Sequence, residues 1–124
     1  MKWFFVMNGG LTCGAPRALQ EIEEGVARIY VMNIQFIWDE AKRLSNIKNH
    51  GFDFMDVPGV FAGLTLTVED DRFDYGEQRW ISLDYLRGTP VSIVHTENEI
   101  RIRVISFRKA TRREEKLLYD GIKN

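Results

Sequence analysis

The chain has 124 residues, is 44% hydrophobic and 28% charged, and carries a formal net charge of −1. These values are typical of one soluble globular domain, and they exclude bulk disorder and a membrane-spanning segment. With one cysteine, Cys13, and two histidines, the sequence cannot form an internal disulfide or supply four zinc ligands, so we expect a cytosolic protein without a metal or other cofactor.

Residues 1 to 31 differ in composition from the rest of the chain, since they hold two adjacent glycines, Gly9 and Gly10, and then a helix-like apolar spacing. The spacing predicts a helix in the stretch RALQEIEEGVARI, with four apolar residues on one face: Leu19, Ile22, Val26 and Ile29. Met32 then opens a stretch typical of the start of a domain. We therefore expect residues 1 to 31 to be an extension, either flexible or the product of an upstream start codon, and residues 32 to 124 to form the domain.

Two helices are predicted at the start of this domain. A short extended piece precedes Asp39, which can cap a helix that runs to about Asn49 and ends at Gly51. Residues 53 to 61 predict a second, short helix, whose length Pro58 limits.

Four strands follow in an antiparallel meander, separated by turn sequences. They are residues 64–69, 78–86, 91–96 and 100–107. Thr111 and Glu114 form a capping-box pattern that opens a C-terminal helix. The predicted fold is therefore α+β, with two N-terminal helices, a four-stranded antiparallel sheet and a C-terminal helix, and with the helices on one face of the sheet.

The tight turns predict how these strands pair. A turn at residues 98 and 99 places Ile93 opposite Val104, and the preceding turn places Tyr85 opposite Val91. One sheet face then forms the core, with Arg79 and His95 as polar residues on it: Ile81, Leu83, Tyr85, Val91, Ile93, Ile102 and Val104. The other face carries Trp80, Ser82, Asp84, Ser92, Thr96, Arg101 and Arg103. This second face fits nucleic-acid binding, with arginines for phosphates and a tryptophan for base stacking, and it equally fits an ordinary solvated sheet face.

Charge is segregated along the chain. Residues 69 to 77 hold five acids and one arginine, whereas residues 101 to 116 hold seven bases and two acids. Such segregation produces a local potential that can attract phosphate without a high net charge. Alternatively, the two stretches neutralise each other in the fold.

Three segments carry motifs in a recognisable order. They are WDEAKRLSNIKNHGFDF (38–54), DDRFDYGEQRWISL (70–83) and VHTENEIRIRVISFRKATRREE (94–115). Together, from about Met32 to Tyr119, they resemble the BrnT-type toxins of bacterial type II toxin–antitoxin pairs. The resemblance implies a RelE-like fold, a ribonuclease activity that stops translation, and a ribbon-helix-helix antitoxin through which alone the pair contacts DNA.

The chain departs from that family at three places. Asn98 and Glu99 stand where the family has Arg-Gly in the last hairpin. Asn49, His50 and Gly51 stand where the family has Lys-His-Gly, with Lys48 one place earlier. Asp84 stands where glycine is usual, which predicts a local change in strand conformation.

RNA is cut without a metal when its own 2′-hydroxyl attacks the neighbouring phosphate, which requires a base, an acid and cations. From this chemistry and the matching motif positions, His50 and His95 are the candidates for proton transfer, and Glu77 is an alternative base. The candidates for stabilising the phosphate charge are Arg79, Arg103 and Arg108, and those for binding flanking RNA are Lys48, Trp80, Arg101 and Lys109. Glu77 and Arg79 equally fit a structural ion pair.

A second function remains open at this point. The same basic region fits a non-catalytic module that docks an acidic antitoxin segment, since arginines bind carboxylates as well as phosphates.

Overall fold

Seven strands and three α-helices make up the part of the chain that the computed structural model describes, which is the backbone of residues 19–23, 26–31 and 33–123 and the side chains of residues 33–122. The strands are β1 Leu19–Glu23, β2 Val26–Val31, β3 Ile34–Asp39, β4 Leu66–Glu69, β5 Trp80–Leu86, β6 Thr89–Glu97 and β7 Arg101–Lys109. The helices are α1 Glu40–His50, α2 Val57–Phe61 and α3 Arg112–Lys123, with a 3₁₀ turn at Phe54–Asp56 before α2. The predicted α+β class is confirmed.

The strands form one sheet in the order β1-β2-β3-β7-β6-β5-β4. Strands β4 to β7 form the predicted antiparallel meander. The sheet is larger than the predicted four strands, because β3 pairs in parallel with β7 and carries β1 and β2 beyond it. Five strands, β3 to β7, lie where side chains are described.

The predicted helix over residues 17 to 29 is wrong, because Leu19–Glu23 and Val26–Val31 form the strands β1 and β2. Val26, Ile29 and Tyr30 belong to the β-branched and aromatic types that favour strands. Their extended backbone is paired with β3 along six residues, so sheet pairing overrides the helix-like spacing. Residues 1–18 lie outside the described part of the chain, and the proposed domain boundary at Met32 stays a prediction.

Helix α1 begins and ends where the sequence predicts. The carboxylate of Asp39 accepts hydrogen bonds from the backbone N–H groups of Ala41 (2.8 Å) and Lys42 (3.3 Å), which satisfies two donors at the helix start. Gly51 ends the helix in the left-handed conformation (φ 78°) and donates its N–H to the carbonyl of Ile47. The second helix is also present, but Pro58 lies in its first turn, where a missing N–H costs no hydrogen bond.

The predicted pairing of β5 with β6 is wrong by one residue. Leu86 pairs with Thr89, so the turn has only two residues, Arg87 and Gly88, both with positive φ (49° and 82°). This is the conformation of a type I′ hairpin turn. A shift of one residue moves every side chain of a strand to the other face, and Ser82 therefore lies on the face of Ile93.

The observed pairing of β6 with β7 differs from the predicted register. The shift is two residues next to the connecting turn and three residues on the other side of a bulge. His95 pairs with Val104 and Val94 with Ser106, which leaves Ile105 as the extra residue of the bulge. Because of the bulge, Val104 and Phe107 are both buried in the same core cluster although they are three positions apart, a spacing that places side chains on opposite faces of a regular strand. Val91, Ile93, Ile102 and Val104 share a face as predicted, since a shift of two residues preserves the side-chain alternation.

Helices cover both faces of the sheet, not one face as predicted. On one face the side chains of α2 pack on β3, β6 and β7 in the larger core cluster, which includes Phe61 and Ile93. On the other face Leu118 of α3 packs on a smaller cluster that holds Leu83 and Val94. Leu83 and Ile81 therefore lie on the opposite face from Ile93, which corrects the predicted core face.

The predicted change in strand conformation at Asp84 is absent, since Asp84 pairs regularly with Val91 within β5 and β6. The side chain is accommodated by Gly63 instead: a Cβ atom at Gly63 would lie 2.6 Å from Asp84 Oδ2. Burial raises the pKa of Asp84 to about 6. An acid at this position thus depends on a glycine in the loop that faces it.

The capping box of α3 is confirmed. Thr111 Oγ1 accepts from the backbone N–H of Glu114 (3.2 Å), and the Glu114 carboxylate accepts from the backbone N–H of Thr111 (2.9 Å). Among the helices in the described ranges, none is long and apolar enough to cross a membrane.

Candidate functional site

Helix α1 is fixed against β7 by a buried amide. Asn46 Nδ2 donates to the carbonyl of Phe107 (2.7 Å), and Asn46 Oδ1 accepts from the Phe107 N–H (3.1 Å). The same Nδ2 also donates to the carbonyl of Phe52 (2.9 Å). Asn46 thus takes the place of a neighbouring strand on β7, and it sets the distance between α1 and the sheet.

A groove lies between α1 and the adjacent part of β7. It consists of two cavities, of about 240 Å³ and about 160 Å³, and both are lined by Lys42 and Ile105. The larger cavity also contacts Ile37, Trp38, Asp39, Arg103 and Val104. The smaller one also contacts Ser45, Asn46, Asn49 and His50. The two cavities adjoin at Lys42 and Ile105, with Arg103 on the larger cavity and His50 on the smaller one, and we call the pair of cavities the groove.

Lys42 is the cation at the middle of this groove, and the sequence did not single it out. Its ammonium group forms no ion pair within the part of the chain whose side chains are described. Lys42, Ser45 and Asn49 follow the i, i+3, i+7 spacing of one helix face. This spacing is the sequence feature that could have identified Lys42 as part of a polar helix face. Their place opposite β7 is set by Asn46, which no sequence pattern marked.

Arg103 is linked to Arg79 through Glu77. Arg103 Nη2 lies 2.7 Å and 2.6 Å from the two Glu77 oxygens, and Arg79 Nε lies 3.0 Å from Glu77 Oε2. The Arg79 guanidinium carbon is also 4.2 Å from the centre of the Tyr75 ring, a cation–π distance. Hydrogen bonds from Arg79 and Arg103 lower the pKa of Glu77 below its usual value.

These contacts show how far the acidic and basic stretches neutralise each other in the fold. The acidic stretch does neutralise part of the basic stretch, through Glu77 and Arg103. Arg108 is neutralised in a similar way inside the basic stretch, by a two-point ion pair with Glu114 (2.8 Å and 3.0 Å). Neither Glu77 nor Glu114 forms an ion pair with Lys42.

The other predicted RNA-binding residues lie outside the groove lining. Lys48 is exposed in the last turn of α1, and Lys109 is exposed at the end of β7. Arg101 Nε donates to Gln35 Oε1 (2.6 Å) at the far end of β7. Trp80 is half-buried and pairs across strands with His95, on the face covered by α2.

His95 lies in the core, with no exposed surface. Its Nε2 is 2.7 Å from Ser82 Oγ, which in turn is 2.8 Å from Thr67 Oγ1. Its Nδ1 is 3.4 Å from Glu97 Oε2, and within the described side chains neither of these two atoms has a hydrogen-bond partner. Burial lowers the pKa of His95 to about 3 and raises that of Glu97 to about 7. In this conformation the imidazole cannot contact RNA, so His95 does not join His50 at the groove.

The described structure therefore defines a class: a small α+β domain with a groove along one side of its central strand β7. The groove has an arginine at one end, an imidazole at the other and, between them, a lysine that forms no ion pair with the described side chains. A family model described as "Ribonuclease toxin, BrnT, of type II toxin-antitoxin system" matches residues 38–114. The match covers more than half of the chain and includes every residue of the groove lining except Ile37. The chain belongs to the BrnT family of ribonuclease toxins, whose type II systems pair a toxin with an antitoxin. A comparison with curated proteins gave no match.

Proposed function

We propose that this protein is a metal-independent endoribonuclease that inhibits translation and is neutralised by a ribbon-helix-helix antitoxin. The proposal rests on family membership and on one observation: Lys42 lines two adjoining cavities, one with Arg103 and the other with His50. An extended polyanion that enters this groove meets a guanidinium, an ammonium and an imidazole in turn, which are the groups that phosphate binding and proton transfer require.

In this scheme His50 transfers the proton. It is the only one of the two histidines in the sequence with an exposed side chain. An accessible imidazole can accept the proton of a 2′-hydroxyl or donate one to the departing 5′-oxygen.

Arg103 and Arg79 stabilise the negative charge of the pentavalent phosphate. In the free protein the Glu77 carboxylate occupies both guanidinium groups, with oxygens placed as those of a phosphate would be. RNA therefore displaces Glu77 or shares Arg103 with it. Glu77 is a weaker candidate base than His50, because its lowered pKa reduces its affinity for a proton.

In this proposal Arg108 has a structural role and does not contact RNA, because its guanidinium is paired with Glu114. Lys48, Lys109 and Arg101 contribute to binding of flanking phosphates, as exposed cations outside the groove. His95 acts through the core alone.

Cleavage of RNA by the purified protein in excess chelator tests the proposal. His50→Gln is expected to lower kcat by about 100-fold or more, the usual loss for a general acid or base, with unchanged thermal stability. Arg103→Gln is expected to lower kcat by about 100-fold, as for loss of a charge-stabilising donor. Arg113→Gln removes the same charge from exposed α3 and serves as the control, with activity retained.

Activity that disappears in chelator would refute the metal-independent mechanism. Cleavage that is equal in wild type, His50→Gln and Arg103→Gln would refute the assignment of the groove. The cognate antitoxin, purified with the toxin, should abolish cleavage and show the helix content and DNA binding of a ribbon-helix-helix protein.

A second candidate function, a module that only binds its antitoxin, is favoured by the Glu77 contact, which shows that a carboxylate fits on Arg103 and Arg79. An acidic antitoxin segment could replace Glu77 there without any catalysis. Growth arrest on expression, relieved by co-expression of the antitoxin, supports the nuclease. Harmless expression of folded protein supports the binding module.

A further inference from the structure

The edge of β7 contains a gap. On this edge β3 pairs with β7 up to the pair Ile37–Arg103; Trp38 and Asp39 then pair only with β2, and α1 begins at Glu40. The next group to meet the edge is Asn46, at Phe107. Residues 104 to 106 therefore pair with no strand on that side in the described structure, and the cavity of about 240 Å³ opens here between the end of β3 and β7. We call this cavity the edge notch.

The size of the edge notch suits one planar ring. Pockets for drug-sized ligands have volumes of roughly 300–1,000 Å³, so the notch is too small for a whole nucleotide and large enough for a fragment of one. A gap of three residues is also shorter than the usual added strand of about five or six. A flat ring therefore fits the gap better than a peptide segment does.

The walls of the edge notch combine apolar and cationic groups. Ile37 and Ile105 are partly buried side chains that offer apolar contact. Lys42 and Arg103 lie at its rim and carry the charges that phosphates on either side of a base require. This combination of an apolar slot between two cations is complementary to a nucleobase within an RNA strand.

Asp39 supplies a hydrogen-bond acceptor in the edge notch. Its Oδ1 accepts from two backbone N–H groups of α1, whereas Oδ2 forms no hydrogen bond within the described residues. A carboxylate binds base edges that present N–H donors. Guanine presents two neighbouring donors, N1–H and N2–H, whereas uracil presents a single N–H between two carbonyl oxygens.

We infer that the edge notch binds one base of the RNA substrate and that Asp39 makes it favour guanine over uracil. The inference rests on the proposed function, because it assigns a base-binding subsite to the same groove. Asp39 is thereby a specificity-determining residue, while His50 and Arg103 act on the phosphate.

Binding of mononucleotides to the full chain tests the inference without cleavage. In an amide NMR titration, guanosine 5′-monophosphate should shift the signals of Ile37, Asp39 and Ile105 and bind at least about tenfold more tightly than uridine 5′-monophosphate. Asp39→Asn should reduce this ratio to about one, because the amide keeps its single oxygen on the backbone N–H groups of α1 and then presents an NH₂ donor in place of the free Oδ2. The helix should remain intact, because asparagine caps a helix as well as aspartate does.

Asp56→Asn is the matched control. Asp56 is also an acid at the start of a helix, but it makes no side-chain cap hydrogen bond and does not line the edge notch. It should leave the ratio unchanged. Equal binding of the two nucleotides, shifts confined to other residues, or a preference that survives Asp39→Asn would each overturn the inference, as would antitoxin contacts at these amides without nucleotide binding.

The cleavage assay separates this inference from the proposed function. If wild type cuts RNA and Asp39→Asn cuts with the same base preference, the inference fails and the nuclease function stands. If no variant cuts RNA but guanosine 5′-monophosphate binds in the edge notch, the nuclease function fails and the subsite stands.

Discussion

Glu97 and His95 show how burial changes the protonation of single residues in this protein. An unfolded Glu97 has an ordinary pKa of 4.5, and burial in the folded protein raises it to about 7. Folding therefore binds a proton between these two pH values. Above pH 7 the carboxylate is charged in both states and bears its full cost of desolvation in the folded state.

Glu97→Gln is accordingly expected to raise stability at high pH. The gain over wild type should be near zero below pH 4.5, grow between pH 4.5 and 7, and reach about 2 kcal/mol at pH 8. Urea denaturation at pH 4.5 and pH 8 measures it. Glu99→Gln, in the exposed turn next to it, should show no such gain, and a loss of stability in Glu97→Gln at pH 8 would contradict the prediction.

His95 changes stability with the opposite sign. Its ordinary pKa of 6.5 is lowered to about 3. Between these two pH values His95 is protonated in the unfolded chain and neutral in the folded core. Its contribution is complete above pH 6.5 and is lost as the pH falls toward 3. The sequence placed His95 correctly on a core strand face, but its depth below α2 is a result of packing by Phe61, whose ring lies 5.2 Å away.

At the scale of elements, the contact between α1 and β7 determines the groove. Asn46 satisfies both backbone groups of Phe107 and the carbonyl of Phe52 with one buried side chain. Removal of this side chain leaves three buried or partly buried backbone groups without a partner.

Asn46→Ala is expected to destabilise the protein by about 2–4 kcal/mol, from the cost of those unpaired groups. Chemical denaturation measures the loss, and the activity of the remaining folded protein should fall as well, because α1 carries Lys42 and His50. Asn49→Ala, which removes an exposed side chain of the same helix, should cost less than about 1 kcal/mol. Equal losses in the two variants would show that the amide contributes no more than helix propensity.

Strand pairing was less predictable than the helix ends. Asp39, Gly51 and the pair Thr111 and Glu114 act through contacts within four residues, so the sequence identified them correctly. The β5–β6 register depended on whether the turn held two or three residues. The bulge at Ile105 depended on how β7 fits both β6 and α1, and no local pattern encodes it.

At the scale of the whole molecule, β1 and β2 extend the sheet beyond β3. They cover one edge of β3, whose other edge pairs with β7. An uncovered strand edge offers unpaired backbone groups to other chains.

A chain that starts at Met32 is therefore expected to be less stable and to self-associate. It loses six pairs between β2 and β3 and exposes that edge of β3. Thermal denaturation and sedimentation at two concentrations measure both effects, and a chain that lacks only residues 1 to 18 isolates the contribution of the two strands. A chain from Met32 that melts like the full chain and stays monomeric would show that residues 1 to 31 are dispensable.

The sequence by itself determined the α+β class, the meander, the helix caps and membership of the BrnT family, because these depend on local contacts and on motifs in order. Tertiary structure decided which candidate site residues meet. It buried His95 and placed Glu77 between two arginines, and among the described side chains it left Lys42 without an ion pair, beside the gap in the pairing of β7. The physical reason is that these arrangements depend on side chains distant in sequence, brought together by a register that a single turn residue or bulge can change.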